Sequence, residues 1–209
     1  MAKPLTPWMQ AKLRRAELRT RVKARHALEL FPTPAFCVYR LLEATALLGR
    51  QWCDPCAGFG HLVRAVNEVR SGIVWAVGDV REECRESLAE ITPDTHIQDF
   101  LRSREVMTYS TIISHPPYSR AIDIIYAAIK RAECVAMLLR TSFMTSQKRH
   151  SFLRKRMPDV YLLPDRFTGA GKDSQDYAWF VWDDYTFPRS VGKVQVLETT
   201  TAKEKRILL

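Results

Sequence analysis

The chain has 209 residues, 46% of them hydrophobic, enough to bury one substantial core and too few for two ordinary domains and a linker. No run approaches the roughly 18 apolar residues that cross a bilayer. The first thirty residues carry charges throughout where a signal peptide would be apolar, so a soluble, cytoplasmic protein with no membrane partner is expected. Lys and Arg number 32 against 23 Asp and Glu, and the formal charge of +9 favours a polyanionic partner, because neutralising phosphates releases counterions.

Residues 8–30 lack Gly and Pro and interleave Leu13, Ala16, Val22, Ala27 and Leu30 with many basic side chains, predicting a basic N-terminal helix. Its polar face is either a solvated surface or an arm that contacts phosphates. Phe31-Pro32-Thr33-Pro34 breaks that helix, since proline lacks a backbone donor and biases the preceding residue away from α. Thr33 is expected to cap a helix over residues 35–45, with Pro34 at its first position. Short apolar runs at 51–57, 73–80, 110–115 and 134–140 then predict strands, alternating with helical patterns at 61–70, 82–90, 120–131 and 146–156. This alternation implies an α/β fold with right-handed crossovers and a mostly parallel sheet. The runs 159–165 and 177–184 have no helix between them and predict an antiparallel hairpin at a sheet edge. We read residues 1–30 as an extension, 31–190 as the domain and 191–209 as a loosely held tail.

Five cysteines form no spaced disulfide framework, and Cys37, Cys84 and Cys134 lie in apolar or motif-like surroundings, which suits a reducing compartment. Cys53 and Cys56 make one C-x-x-C. A structural zinc wants four ligands, no second pair follows, and His61 alone does not complete the set, so no metal is expected.

In an open α/β sheet, ligands bind beyond the carboxyl ends of the strands. The first strand-to-helix turn reads Asp54-Pro55-Cys56-Ala57-Gly58-Phe59-Gly60. Gly58 and Gly60 would let the backbone approach a ligand. An acid at the strand end suits a cationic group and opposes a pyrophosphate, which points to the amino-acid end of S-adenosylmethionine more than to NAD. The second strand ends Gly78-Asp79-Val80, where a carboxylate can accept two hydrogen bonds from a ribose diol or simply cap the next helix. Beyond the helical pattern at 82–90, Asp99 offers a carboxylate to an adenine amino group and Phe100 a ring to pack on it.

The strand at 110–115 runs into His115-Pro116-Pro117-Tyr118. This block resembles the signature of the amino-methyltransferases that act on adenine or cytosine in DNA: Asp, Asn or Ser, then Pro-Pro, then an aromatic residue, at the end of the fourth strand. From about Phe31 to Asp184 the order of blocks is similar to small phage-type or prophage-type DNA adenine-N6 methyltransferases. The resemblance implies a Rossmann-like class I methyltransferase fold and S-adenosyl-L-methionine as methyl donor. It implies DNA as the partner, with Phe31 and Thr33 in the segment closing the donor pocket, Asp54 to Gly60 as donor loop and Asp79 as ribose acid.

The chemistry explains the grouping. An exocyclic base amine is a poor nucleophile because its lone pair is delocalised into the ring. Acceptors around its hydrogens, the first side chain of the block and the Pro116 carbonyl, favour the pyramidal form that attacks a sulfonium methyl group. Tyr118 would stack on the extruded base. His115 departs from the pattern, because a neutral imidazole accepts one hydrogen bond and a protonated one none. Three readings follow: an active enzyme with His115 as acceptor, an enzyme for another amine (RNA adenine, cytosine or protein glutamine), or a nucleic-acid binder without activity. If His115 is the acceptor, activity should fall below about pH 6.5.

On the target side, the connection at 166–176 is either a hairpin loop or a base-pocket wall with Phe167 packing near the base and Lys172 on phosphate. Arg140, Lys148 and Arg149, with Arg154, Lys155 and Arg156, form a candidate basic track. Trp179, Phe180 and Trp182 are expected to pack within a strand, with Phe180 on the face opposite both tryptophans.

Overall fold

The computed structural model of the protein describes residues 30, 32–103, 108–165, 175–183 and 192–199. Phe31, Phe167, Lys172 and all but the last residue of the basic segment 8–30 lie outside the described residues.

Eight strands form one sheet in the order β3-β2-β1-β4-β5-β7-β6-β8. They are β1 (Gln51–Asp54), β2 (Val74–Asp79), β3 (Thr95–Ile97), β4 (Tyr109–Ser114), β5 (Ala132–Arg140), β6 (Asp159–Leu163), β7 (Tyr177–Asp183) and β8 (Val194–Val196). All pairings are parallel except those of β7, which runs against both β5 and β6. The expected hairpin is therefore present, with β7 inserted between β5 and β6. Beyond β6 lies β8, a strand not anticipated in the C-terminal segment. β1 is shorter than expected because Pro55 has no N–H with which to continue the ladder.

The described helices are α1 (Ala35–Ala44), α2 (His61–Val69), α3 (Arg85–Ala89), α4 (Ala121–Ile129) and α5 (His150–Lys155). Cys37, Val38 and Leu41 of α1, Leu62, Val63 and Val66 of α2, and Leu88 of α3 bury against one sheet face with Trp52, Val77, Ile113, Leu138 and Trp179. Ile124, Ile125 and Ala128 of α4, with Phe152 and Leu153 of α5, bury against the other with Cys53, Ile112, Met137 and Phe180. Alternation along β5 feeds both: Cys134, Ala136 and Leu138 to the first face, Val135, Met137 and Leu139 to the second. The result is a three-layer α/β/α arrangement.

Two expectations are corrected. Thr33 does not cap α1: Pro34 is the N-cap, Cys37 N–H bonds its carbonyl at 3.1 Å, and the Thr33 hydroxyl is engaged elsewhere. Phe180 does not oppose both tryptophans. Positions 180 and 182 are two apart and share the α4 face, with rings stacked 6.4 Å apart, while Trp179 turns to the α1 face and donates its indole N–H to the Cys37 carbonyl at 2.7 Å. All three are buried, as expected of packing residues.

Candidate active site

β1 and β4 are neighbours, and the sheet order reverses between them, so the turns leaving them flank one crevice at the carboxyl rim. Both turns carry the residues singled out from sequence.

After β1, the Asp54 carboxylate is buried, accepting the Ser114 hydroxyl at 2.6 Å and the Cys56 amide at 3.1 Å. Burial nevertheless dominates, and with the charge of Asp79 nearby it pushes the Asp54 pKa up to about 7. The loop is tied to β2 where the Ala57 amide meets the Gly78 carbonyl at 2.8 Å. Gly58 and Gly60 both have positive φ, 56° and 81°, and Gly60 is the left-handed N-cap of α2. A Cβ on Gly60 would come 2.3 Å from the Ile91 Cδ1.

Asp79, at the end of β2, is equally buried. Its Oδ2 accepts the Gly58 amide at 2.9 Å, and Arg81 closes on the same carboxylate in a fork, Nε to Oδ1 at 2.8 Å and Nη2 to Oδ2 at 2.7 Å. Asp79 thus joins the Asp54–Gly60 turn to β2. Val80 follows with its side chain open to solvent.

Past β3, the Asp99 carboxylate accepts the Leu101 amide at 3.0 Å and so closes its own turn. Phe100 lies partly buried against the α4 face with the Arg131 guanidinium 4.5 Å above its ring. With Cys53, Pro55, Gly78, Gln98 and Arg131 it lines a cavity of about 30 Å³. Phe100 thus shares a cavity with the residues on either side of Asp54, Cys53 and Pro55, and with Gly78 next to Asp79.

After β4, His115 is held from both sides. Its Nδ1 lies 3.1 Å from the Thr33 Oγ1 and its Nε2 2.8 Å from the Tyr118 hydroxyl, which donates to the Tyr177 hydroxyl at 3.0 Å. With the Tyr118 proton given to Tyr177, the chain is satisfied by the tautomer in which Nε2–H donates to Tyr118 and Nδ1 accepts from Thr33. Burial, reinforced by the Arg140 charge, pushes the His115 pKa down to about 4, so the ring is neutral. Arg140 ends β5, with its guanidinium 4.3 Å over the Tyr118 ring. The Pro117 carbonyl is taken by the Arg120 amide at 3.0 Å, whereas among the described residues no donor reaches the carbonyl of buried Pro116.

Of the candidate basic track, Lys148 is exposed. Arg149 folds back, donating to the Phe143 and Ser142 carbonyls at 2.9 and 3.3 Å, with its guanidinium 4.4 Å over the Phe143 ring. Cys53 and Cys56 are free, and their thiol pKa values are raised by burial. Among the described residues no three His, Cys, Asp or Glu side chains group as metal ligands, and no helix is long and apolar enough to cross a membrane.

Three participants and one contact escape sequence reasoning. Ser114 and Arg81 carry a signal of sorts, one a polar residue closing an apolar strand, the other a cation two residues after a buried acid. Tyr177 and the Thr33–His115 contact carry none, because they meet across 59 and 82 residues of chain.

No protein-family model matches the sequence, and no curated protein matches it. Solved structures do. A protein of Listeria monocytogenes assigned as a class I S-adenosylmethionine-dependent methyltransferase superposes with a TM-score of 0.56 at 15% identity, over 83% of this chain and 66% of that one. A modification subunit of a type I restriction enzyme from Vibrio vulnificus gives 0.56 at 10% identity, over 92% and 51%. The 23S rRNA methyltransferase ErmE gives 0.56 at 15% identity, over 85% and 75%. The chain thus spans about two thirds and one half of the first two. At these identities the likeness is one of architecture, and the protein has the Rossmann-like α/β fold of the class I methyltransferases.

Proposed function

We propose that this chain transfers a methyl group from S-adenosyl-L-methionine to the exocyclic amine of adenine in DNA. The observation that carries the reading is the carbonyl of Pro116, without a donor among the described residues, just past the end of the strand next to the Asp54 loop. A carbonyl so placed is an acceptor in search of an N–H. The sequence resemblance supplies DNA and adenine as partner. A DNA-modification subunit and an rRNA methyltransferase among the proteins of like fold are compatible with a nucleic-acid substrate.

The residues fit the donor. Asp54 is a buried carboxyl whose ionised form lacks a cation and would gain one from the donor's ammonium. Gly58 and Gly60 leave the loop backbone approachable, and Val80 offers an apolar surface to a purine. Asp79 can hold the ribose diol once the Arg81 fork swings away. The donor, when bound, supplies a methyl group on a positively charged sulfur.

The chain's own residues then do the following. The Pro116 carbonyl accepts one hydrogen of the target amine and so favours its pyramidal form. His115 is neutral at physiological pH and retains a lone pair on Nδ1; turning the Thr33 hydroxyl away frees it to accept the second hydrogen and to take up that proton as the nitrogen bonds the methyl carbon and the carbon–sulfur bond breaks. Tyr118 carries the base on its ring, with Arg140 displaced from that face onto phosphate. Alignment supplies most of the rate, since proximity is worth several kcal/mol, about 7–11 in favourable cases.

A second reading, a nucleic-acid binder without activity, is favoured by the same contacts read as permanent: both His115 ring nitrogens are engaged and Arg81 covers Asp79. Labelled methyl transfer to unmethylated DNA, RNA and protein, with digestion to nucleosides, separates the two. Label in N6-methyladenine of DNA is expected. Label only in RNA or protein moves the substrate, and no label from wild type together with label from His115→Asn establishes the inactive form.

A further inference from the structure

The segment after Arg140 folds as two 3₁₀ turns, Thr141–Thr145 and Gln147–Arg149, followed by α5. It encloses an open groove of about 620 Å³ that the methyl-transfer chemistry does not use, a size within the range of ligand sites. Its floor is apolar, made by Met144, Leu153 and Met157; its rim is polar, made by Gln147, His150 and Arg154. Between Arg140 and Met157 the chain carries Lys148, Arg149, Arg154, Lys155 and Arg156 and not one Asp or Glu. Among the described residues no carboxylate forms an ion pair with Lys148, Arg154 or Lys155, all of which are exposed. A thioether-rich floor is soft and fits planar rings of any shape. A cationic rim without counter-charge fits phosphate. The groove is close along the chain to the candidate target site: Met144 is four residues beyond Arg140, whose guanidinium covers Tyr118, so their Cα atoms are at most about 14 Å apart.

The geometry points to a flanking-base subsite: the groove takes one unstacked base of a single-stranded or locally opened nucleic acid, with that base on Met144 and Met157 and its phosphate on Arg154 and Lys148. The inference rests on the nucleic-acid reading above and narrows it to substrates whose bases near the target are splayed out. A duplex presents no free base face to such a floor, so single strands bind more tightly than duplexes of the same sequence.

The test uses the full chain and fluorescein-labelled 12-nucleotide single-stranded DNA carrying one adenine, with an abasic position stepped through the flanks. Wild type is expected to lose about tenfold in affinity at one flanking step, the loss of one stacked base. Met144→Ser should bind the intact oligonucleotide as weakly as wild type binds that abasic one and show no further abasic penalty. Arg154→Ala should lower the slope of log K against log salt by about 0.7, the single-strand value for one phosphate. Circular dichroism and melting of each variant exclude unfolding, both substitutions being at incompletely buried positions. A uniform abasic profile, or an abasic penalty unchanged in Met144→Ser, overturns the proposal. So does equal competition by poly-glutamate, which would make the rim a general polyanion surface. Because binding is read without methyl transfer, loss of catalysis with the abasic effect intact refutes only the enzymatic reading, and methylation with unchanged variant binding refutes only the groove.

Discussion

On the proposed assignment of Asp54 to the donor's ammonium, affinity for the methyl donor is expected to depend on pH. In the free protein the Asp54 carboxyl titrates near pH 7, because burial outweighs the hydrogen bonds from Ser114 and Cys56. An ammonium binds the ionised form, so below pH 7 each donor molecule must displace a proton. Affinity then falls about tenfold per pH step of one. Between pH 8 and pH 5.5 the dissociation constant should rise about thirtyfold, provided the carboxyl in the complex titrates below 5. The same group acts on stability with the opposite preference. Its folded pKa lies above the ordinary 3.8, so its contribution is present in full below about pH 4 and gone above pH 7, a difference of about 4 kcal/mol at most. Asp54→Asn should therefore melt no lower than wild type at pH 8 while binding donor weakly at every pH. Calorimetric titration with S-adenosylmethionine in buffers of different ionisation enthalpy measures both the constant and the protons released, close to one per donor at pH 6. An affinity flat from pH 5.5 to 8 with no proton release would refute the assignment of Asp54 to the ammonium.

His115 gives a different pH signature. Its pKa near 4 keeps the ring an acceptor, so the saturated rate should stay level from pH 8 to 5 and fall only toward 4, well below the 6.5 expected of an unperturbed imidazole; a midpoint near 6.5 in the saturated rate would contradict this burial. Gly60→Ala puts a Cβ against Ile91 at a left-handed position and should cost about 1–3 kcal/mol in chemical denaturation, with donor binding impaired; a neutral effect would mean the turn can reshape. Arg81→Ala removes the guanidinium that competes for Asp79 and should tighten donor binding about tenfold while lowering the melting temperature of the free protein, whereas weaker binding would assign Arg81 to the donor itself.

The sequence made the layered fold legible because each long strand is an apolar run closed by a polar or proline signal: Asp54 before Pro55, Asp79, and Ser114 before the proline pair. Two strands did not announce themselves by composition. β3 is three half-buried residues, and Val194–Val196 takes its strand form from pairing with β6, a long-range partner that local pattern cannot reveal. The two candidate loops were readable for the same reason, since glycine and proline declare backbone geometry. Their neighbours were not. Thr33 had the look of a helix cap, and only the approach of His115 from another strand gave its hydroxyl a better partner. Arg149 looked available to phosphate, yet its guanidinium closes the turn that precedes α5. Charge alone does not say whether an arginine faces outward or braces its own backbone.

The reversed direction of β7 has a practical consequence. A strand that opposes its neighbours brings its beginning to the rim where they bring their ends, and Tyr177 is registered there against Arg140 on one flank and Leu163 on the other. Its main chain is thereby clamped from both sides. Position 177 is accordingly a handle for engineering, where a changed side chain would retune the polarity felt by Tyr118 and His115 while the scaffold that presents them stays put.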